Sequence, residues 1–335
     1  MSFLGITERP RRRVRGTCVS GPSIGFIGFG EAGFHIARGL REAGLETVIA
    51  YDINADTPGF RDRIRRHENQ SGVRLVATSE ELADGSDILL SVVVAGAAIR
   101  AAEQTAPFFQ SRHLYADLNS VSPTVKQSVH SIVTNQGARF VEATIMSPIS
   151  PLGHRAPMLL AGSSAAELLE AMAPYGMQME VVSDKVGSAA SVKLCRSIIV
   201  KGLEALMVEC AMAACHYGAD ERVFSSLDKS FPGLDWGKLA SYMTSRVAMH
   251  GERRAGEMNE AARMLEAIGI EPIMAQAAAN RQEWCARLGV GDAFDGAPPE
   301  DYRAIVSAIY KLIESDQAEP AQPTASPVTE DSYNG

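Results

Sequence analysis

The chain has 335 residues, enough for two domains with separate cores, and its 46% apolar and 21% charged residues are ordinary globular composition. A formal net charge of −8 argues against a nucleic-acid partner held by phosphate neutralisation. No apolar run reaches the roughly 18 residues of a membrane span, and the N-terminus lacks the apolar core of a signal peptide.

Residues 1–20 contain "RPRRRVRG", a like-charged run without hydrophobic period, which predicts a disordered basic arm. "SIGFIGFG" is a strand-like run, and "EAGFHIARGLREAG" is a helix that Gly44 ends. "ETVIAYD" is the second strand. The basic polar segment "FRDRIRRHENQ" then precedes a strand in "VRLVA". "SEELADGSD" reads as a short helix and "ILLSVVV" as a buried strand. A helix over 97–106 stops at Pro107. "HLYADLNS" is a strand, "SPTVKQSVHSIVTNQG" a helix with Pro123 in its first turn, and "ARFVEATI" a strand. "APMLLAGS", a helix over 164–172 and "MEVVSD" extend the sheet. Strands alternating with helices mean βαβ units, so 21–185 is expected to form a Rossmann-type α/β domain with a mostly parallel, doubly wound sheet.

From 186 onward Ala, Met, Leu, Glu and Arg dominate, and no strand pattern appears. Residues 186–315 are therefore expected to be an all-helical domain. One helical pattern, 187–216, would span on the order of 40 Å at the usual rise, enough to bridge two domains. Residues 316–335, rich in Pro, Ser, Thr and acids, predict a disordered tail. The cysteines, Cys18, Cys195, Cys210, Cys215 and Cys285, form no C-x-x-C pair. That argues against disulfides and a metal site, and for a reducing, cytoplasmic setting.

Chemistry concentrates in five places. In "GFGEAG" (Gly28, Phe29, Gly30, Glu31, Ala32, Gly33) the G-x-G-x-x-G spacing follows a strand and opens a helix. Gly28 allows a tight turn, Gly30 close approach of a pyrophosphate, and Gly33 close helix–sheet packing. The helix N-terminus offers free N–H groups to phosphate. Asp52, at the end of the second strand, accepts hydrogen bonds from ribose hydroxyls and repels a 2′-phosphate, which favours NAD over NADP. Arg61, Arg63, Arg65 and Arg66 read as a solvated face. At strand ends, Val93 and Val94 line the cofactor side, and Asn119 and Ser120 in "DLNSVSP" reach towards the nicotinamide. The stiff loop "EATIMSPISPLGHRAP" can present Ser147, His154 or Arg155 to a substrate, Arg155 suiting a carboxylate. On the long helix, Lys193, Arg196 or Ser197, Lys201 and Glu204 form one polar stripe, expected to meet water or a cleft. Lys193 sits near the helix N-terminus, where the dipole and partial burial both lower an amine's pKa towards neutrality, as proton transfer requires. In "HGERRAGEM", His250, Arg253, Arg254 and Glu257 are expected on one helical face, which by spacing reads as a surface ion-pair ladder.

"IGFIGFGEAG", "YD", "DLNSVSP" and Lys193, in that order, resemble the β-hydroxyacid dehydrogenases over about residues 23–300. That family includes the 3-hydroxyisobutyrate, tartronate-semialdehyde and 6-phosphogluconate enzymes. The resemblance implies a nicotinamide-binding N-terminal domain and a long helix leading into a helical dimerisation domain. It also implies that Lys193 is the general acid/base, that residues 186–315 serve the substrate and dimerisation, and that the last helices lend side chains to the cleft, with Arg254 and Glu257 as the candidate substrate contacts. Two departures stand out. The family's substrate loop D-A-P-V-S-G-G is here "EATIMSP", and the asparagine expected within a turn of the lysine is replaced in "KLCRS" by Arg196 and Ser197. "KLCRSIIVKGLEAL", "MSPISP" and "HGERRAGEMNEA" instead resemble a branch whose C-terminal domain has no assigned function. The expected activity is NAD-dependent hydride transfer on a small hydroxy acid or related alcohol, in a homodimer. Imine reduction, oxidative decarboxylation and NAD binding without turnover are the alternatives.

Overall fold

The computed structural model describes residues 21–297 and 299–318; the expected basic arm, and the expected tail from 319 on, lie outside the described residues. The chain divides into two compact units. The first holds the described residues through Asn119 together with Val129–Asp184; the second holds Ser120–Ser128 and the described residues from Lys185 onward. The sequence boundary near 185 did not anticipate the excursion over 120–128.

In the first unit β1 (Ile24–Ile27), α1 (Glu31–Glu42), β2 (Val48–Tyr51), α2 (Arg61–Ser71), β3 (Arg74–Leu75), α3 (Ser79–Asp84), β4 (Ile88–Ser91) and α4 (Ala98–Thr105) follow one another. Next come β5 (Leu114–Asp117), α5 (Pro123–Asn135, which counts with this unit only from Val129 on), β6 (Arg139–Ile145), α6 (Ile149–Leu152), β7 (Met158–Ala161), α7 (Ala165–Met172) and β8 (Met179–Ser183). The sheet runs β3-β2-β1-β4-β5-β6-β7-β8. All neighbours are parallel except β6 and β7. β1, β4 and β5 are buried along their whole length, which explains their unbroken apolar sequences: helices cover both faces of a parallel sheet. The strand order reverses between β1 and β4, and ligands of such sheets bind beyond the strand ends there.

Two local expectations change. The basic segment over 61–71 is a helix, α2, because Ile64 anchors one face in the core while its arginines stay exposed. The strand expected in "VRLVA" shrinks to two residues at the sheet edge.

The second unit contains α8 (Ser188–His216), α9 (Asp220–Ser230), α10 (Trp236–Ala267), α11 (Ile273–Arg287) and α12 (Tyr302–Ala318). α8 runs 29 residues, as its uninterrupted pattern predicts. Its orientation is opposite to expectation. Ser197, Lys201 and Glu204 are buried, whereas Val192, Ile199, Leu203 and Leu206 are exposed, Ile199 at 65% and Leu206 at 53%. α10 packs along the polar side and supplies its counter-charges. α10 itself bends at His250 (φ −139°, ψ 24°), so "HGERRAGEM" does not form one continuous face. The bend is followed by close helix packing: a side-chain carbon on Gly251 would lie 2.6 Å from the Gln282 carbonyl. Among the described residues, no helix is long and apolar enough to cross a membrane. Cys195, Cys210, Cys215 and Cys285 are free thiols; Cys18 lies outside the described residues.

Candidate active site

The first unit builds a turn between β1 and α1. Gly28 takes φ +91°, and a side-chain carbon there would lie 2.5 Å from the Val92 carbonyl, so only glycine fits. The same carbon on Gly33 would lie 2.6 Å from the Gly28 carbonyl, which is how α1 seats on the turn. Beside Gly30 there is open space: among the described residues, apart from its chain neighbours, no atom comes within 4 Å of where a side-chain carbon would stand. Gly30 caps α1 without any side-chain hydrogen bond, leaving the helix's first N–H groups to an outside acceptor. A cradle closed at Gly28 and Gly33 and open at Gly30 is what a pyrophosphate needs. The Phe29 ring is fully buried, so this residue offers only its backbone; Glu31 is exposed and Ala32 half-buried.

Asp52 holds this turn. Its Oδ2 accepts from Phe29 N at 2.7 Å and its Oδ1 from Asn54 N at 2.9 Å. Arg65 pairs with Asp56 and Glu68, while Arg61, Arg63 and Arg66 are solvent-exposed. Asn119 is buried and ties two strand-end loops together. Its Oδ1 accepts from Val93 N at 2.7 Å and its Nδ2 donates to Ser91 Oγ at 3.0 Å. Asn119 thus positions Val93, with Val94 beyond it 77% exposed. In the stiff loop, Ser147 is half-buried and its hydroxyl makes a long 3.4 Å contact with the Pro148 carbonyl. His154 turns inward, its ring wedged where any side chain on Gly39 of α1 would stand. Burial pushes its pKa below the ordinary histidine value. His154 is therefore a packing residue, and Arg155 remains exposed.

In the second unit Lys193 is half-buried and its Nζ donates to Ser120 Oγ at 2.6 Å. Burial lowers its pKa to about 8, against the opposing pull of the Glu257 carboxylate; the cations Lys201, Lys126 and Arg253 lower it further. Glu257 pairs with Lys201 at 2.6 Å, and Lys201 also donates to Ser197 Oγ at 2.9 Å. Burial alone would raise the Glu257 pKa, but Lys201, Lys193 and Arg253 outweigh it and hold the carboxyl below its ordinary range. Arg254 makes a bidentate pair with Glu204, both buried. Glu260 accepts from Ser122 N at 2.8 Å and pairs with Arg263.

Several expectations are corrected by this geometry. Arg254 and Ser197, read from the sequence as substrate contacts, are both buried against α8 and α10 partners, Arg254 on Glu204 and Ser197 on Lys201, and so do not face an open surface. Glu257 acts on Lys193 and Lys201 rather than on an open surface. Arg196 is exposed on α8. Glu260 and the fully buried Lys126 were not foreseen. Their signal was faint: single charges in otherwise ordinary helical sequence.

Residues 23–175 match the NAD-binding domain of 6-phosphogluconate dehydrogenase, and residues 214–285 match a domain of unknown function, DUF1932. A conserved hypothetical protein from Sinorhizobium meliloti is 34% identical, with 87% of this chain and 96% of that one covered and a TM-score of 0.72. The chain belongs to the β-hydroxyacid dehydrogenase family, in the branch with a C-terminal DUF1932 domain. A conserved protein of unknown function, described as structurally similar to 3-hydroxyacid dehydrogenases, is 29% identical over 80% of this chain and 98% of its own, with a TM-score of 0.65. The 3-hydroxyisobutyrate dehydrogenase of Mycobacterium tuberculosis, solved with L-serine, shares the fold at 16% identity, with 86% and 99% coverage and a TM-score of 0.64. Membership accounts for the cradle at Gly28, Gly30 and Gly33: it lies within the matched NAD-binding domain.

Proposed function

We propose that this β-hydroxyacid dehydrogenase family member is an NAD-dependent oxidoreductase acting on a small hydroxy acid or related alcohol, with Lys193 as its general acid/base. The Lys193–Ser120 hydrogen bond carries this reading. It ties an amine whose pKa lies near 8 to the residue that follows Asn119 in the chain. A dinucleotide bound at the glycine turn would supply the hydride acceptor or donor. In oxidation, neutral Lys193 takes the substrate hydroxyl proton; in reduction its ammonium returns it. Ser120 accepts from the amine, fixing its direction, and keeps its own O–H for the substrate oxygen. Ser147 and Arg196 position the rest of the substrate, Arg196 through its affinity for carboxylate. Gly28, Phe29, Gly30, Ala32 and Gly33 hold the pyrophosphate, with Glu31 turned to solvent. Asp52 disfavours a 2′-phosphate by its charge, so NAD is preferred to NADP. The exposed stripe of Val192, Ile199, Leu203 and Leu206 supports a homodimer through α8, since spacings of three and four residues suit a helix–helix seam.

The test is a panel of hydroxy acids, aldehydes and imines, followed by NADH absorbance with wild type and with Asp52→Ala. Turnover of hydroxy acids with NAD supports the proposal. Turnover of imines alone replaces the substrate class, and dinucleotide binding without any turnover makes the chain a nucleotide-binding protein. Unchanged NAD preference in Asp52→Ala removes Asp52 from the choice of cofactor.

A further inference from the structure

The two peptide units that flank Phe29 are both held by side chains from elsewhere in the first unit. Its N–H donates to Asp52 Oδ2 at 2.7 Å. Its carbonyl lies 3.2 Å from His67 Nδ1, on α2 and 38 residues further along the chain. A carbonyl oxygen only accepts, so Nδ1 carries the proton and donates. The imidazole is itself placed by packing. It stacks on Phe34 of α1 with centroids 4.4 Å apart and planes at 16°, and stands edge-on to Phe29 at 6.1 Å.

The Phe29 carbonyl and the Gly30 N–H belong to one peptide unit, and in a trans peptide they point in opposite directions. Anchoring the oxygen towards α2 therefore turns the Gly30 N–H away from α2. Glycine at position 30 makes rotation of that peptide plane inexpensive, so the glycine motif alone leaves its direction open. The space beside Gly30 is the part of the cradle that no other described residue fills. We propose that His67 is a positioning residue for the dinucleotide: it fixes the Phe29–Gly30 peptide so that the Gly30 N–H meets the pyrophosphate. The proposal rests on the dinucleotide reading above. A donor on the carbonyl also polarises the peptide, which strengthens its N–H as a donor. Preorganising the plane spares the ligand that ordering step.

The experiment titrates the full chain with NADH and with NADPH, followed by nicotinamide fluorescence and calorimetry. His67→Phe keeps a ring against Phe34 and removes the donor. His67→Asn gives up the ring but keeps an N–H at the δ position. Losing one hydrogen bond predicts that His67→Phe weakens both dinucleotides about fivefold or more and raises the dinucleotide KM, with kcat at saturating dinucleotide unchanged. His67→Asn stays within about twofold of wild type, because the bond rather than the ring sets the peptide. Wild-type affinity in His67→Phe overturns the proposal. So does His67→Asn binding as weakly as His67→Phe, which would make packing the whole effect. Wild-type protein that binds neither dinucleotide refutes the dinucleotide reading itself, and this proposal with it.

Discussion

Replacing Lys193 with methionine keeps a long apolar stem on α8 and removes the amine. The structure sets the size of the expected loss. At its ordinary value of 10.5 a lysine offers only a few neutral amines in ten thousand at pH 7. At about 8, the neutral fraction at pH 7 is roughly one in ten, on the order of 300-fold more base. Loss of a positioned acid/base costs at least about 10²-fold in kcat. Lys193→Met is therefore expected to lower kcat by that factor or more while dinucleotide binding persists. The sign of the pH dependence follows from the same group. Oxidation needs the neutral amine, so kcat/KM in that direction rises with pH and levels off above about 8. Reduction needs the ammonium, so its rate falls as pH rises through about 8. The assay is steady-state NADH absorbance in both directions across pH 6 to 10, a range of about two pH units either side of the lysine. A loss below about tenfold in Lys193→Met, or a limb near 8 that survives the substitution, refutes the assignment.

Gly30→Ala meets no protein atom and keeps an allowed φ of −72°, so its thermal midpoint should match wild type while dinucleotide affinity falls, measured by calorimetry. Gly28→Ala, at φ +91° and against the Val92 carbonyl, should instead lose about 1–3 kcal/mol of stability in denaturant unfolding; a neutral Gly28→Ala would contradict the turn geometry. Arg254→Met leaves Glu204 buried and unpaired, at an expected cost of about 3–5 kcal/mol. The double variant Arg254→Met/Glu204→Leu should recover most of that, and equal instability of single and double variants would show that the pair is not the cause. Leu203→Glu/Leu206→Glu should convert a dimer into monomers in sedimentation experiments; a variant that still dimerises places the interface away from α8.

Much of this architecture is legible in local sequence. Continuous apolar runs such as "ILLS" have no polar face to expose, so they specify strands covered on both sides. The glycine spacing announces the turn after β1, and the unbroken helical pattern over 187–216 specifies α8 to within a residue. Lys193 stands out because a cation near the start of an apolar helix is costly without a purpose. The segment over 61–71 was legible only as polar and basic, since a single buried anchor, Ile64, is too little to make a helical period visible.

What local pattern cannot supply is the identity of the covering element. Periodicity shows that α8 has two faces, but not which one another helix will cover. Ordinary hydrophobic reasoning exposes the polar stripe. In the folded unit α10 brings Arg254 against Glu204, 50 residues earlier, and Glu257 against Lys201, and these charge pairs make burial of that stripe tolerable. The bond from Lys193 to Ser120 spans 73 residues, and that from His67 to the Phe29 carbonyl spans 38. The sequence by itself determined most of the elements, the glycine turn and the candidate base, because each is written in spacings within one strand or helix. The tertiary structure alone decided which charges are paired, which face of α8 is open and what orients the Phe29–Gly30 peptide, because those depend on groups that meet only after the chain has folded.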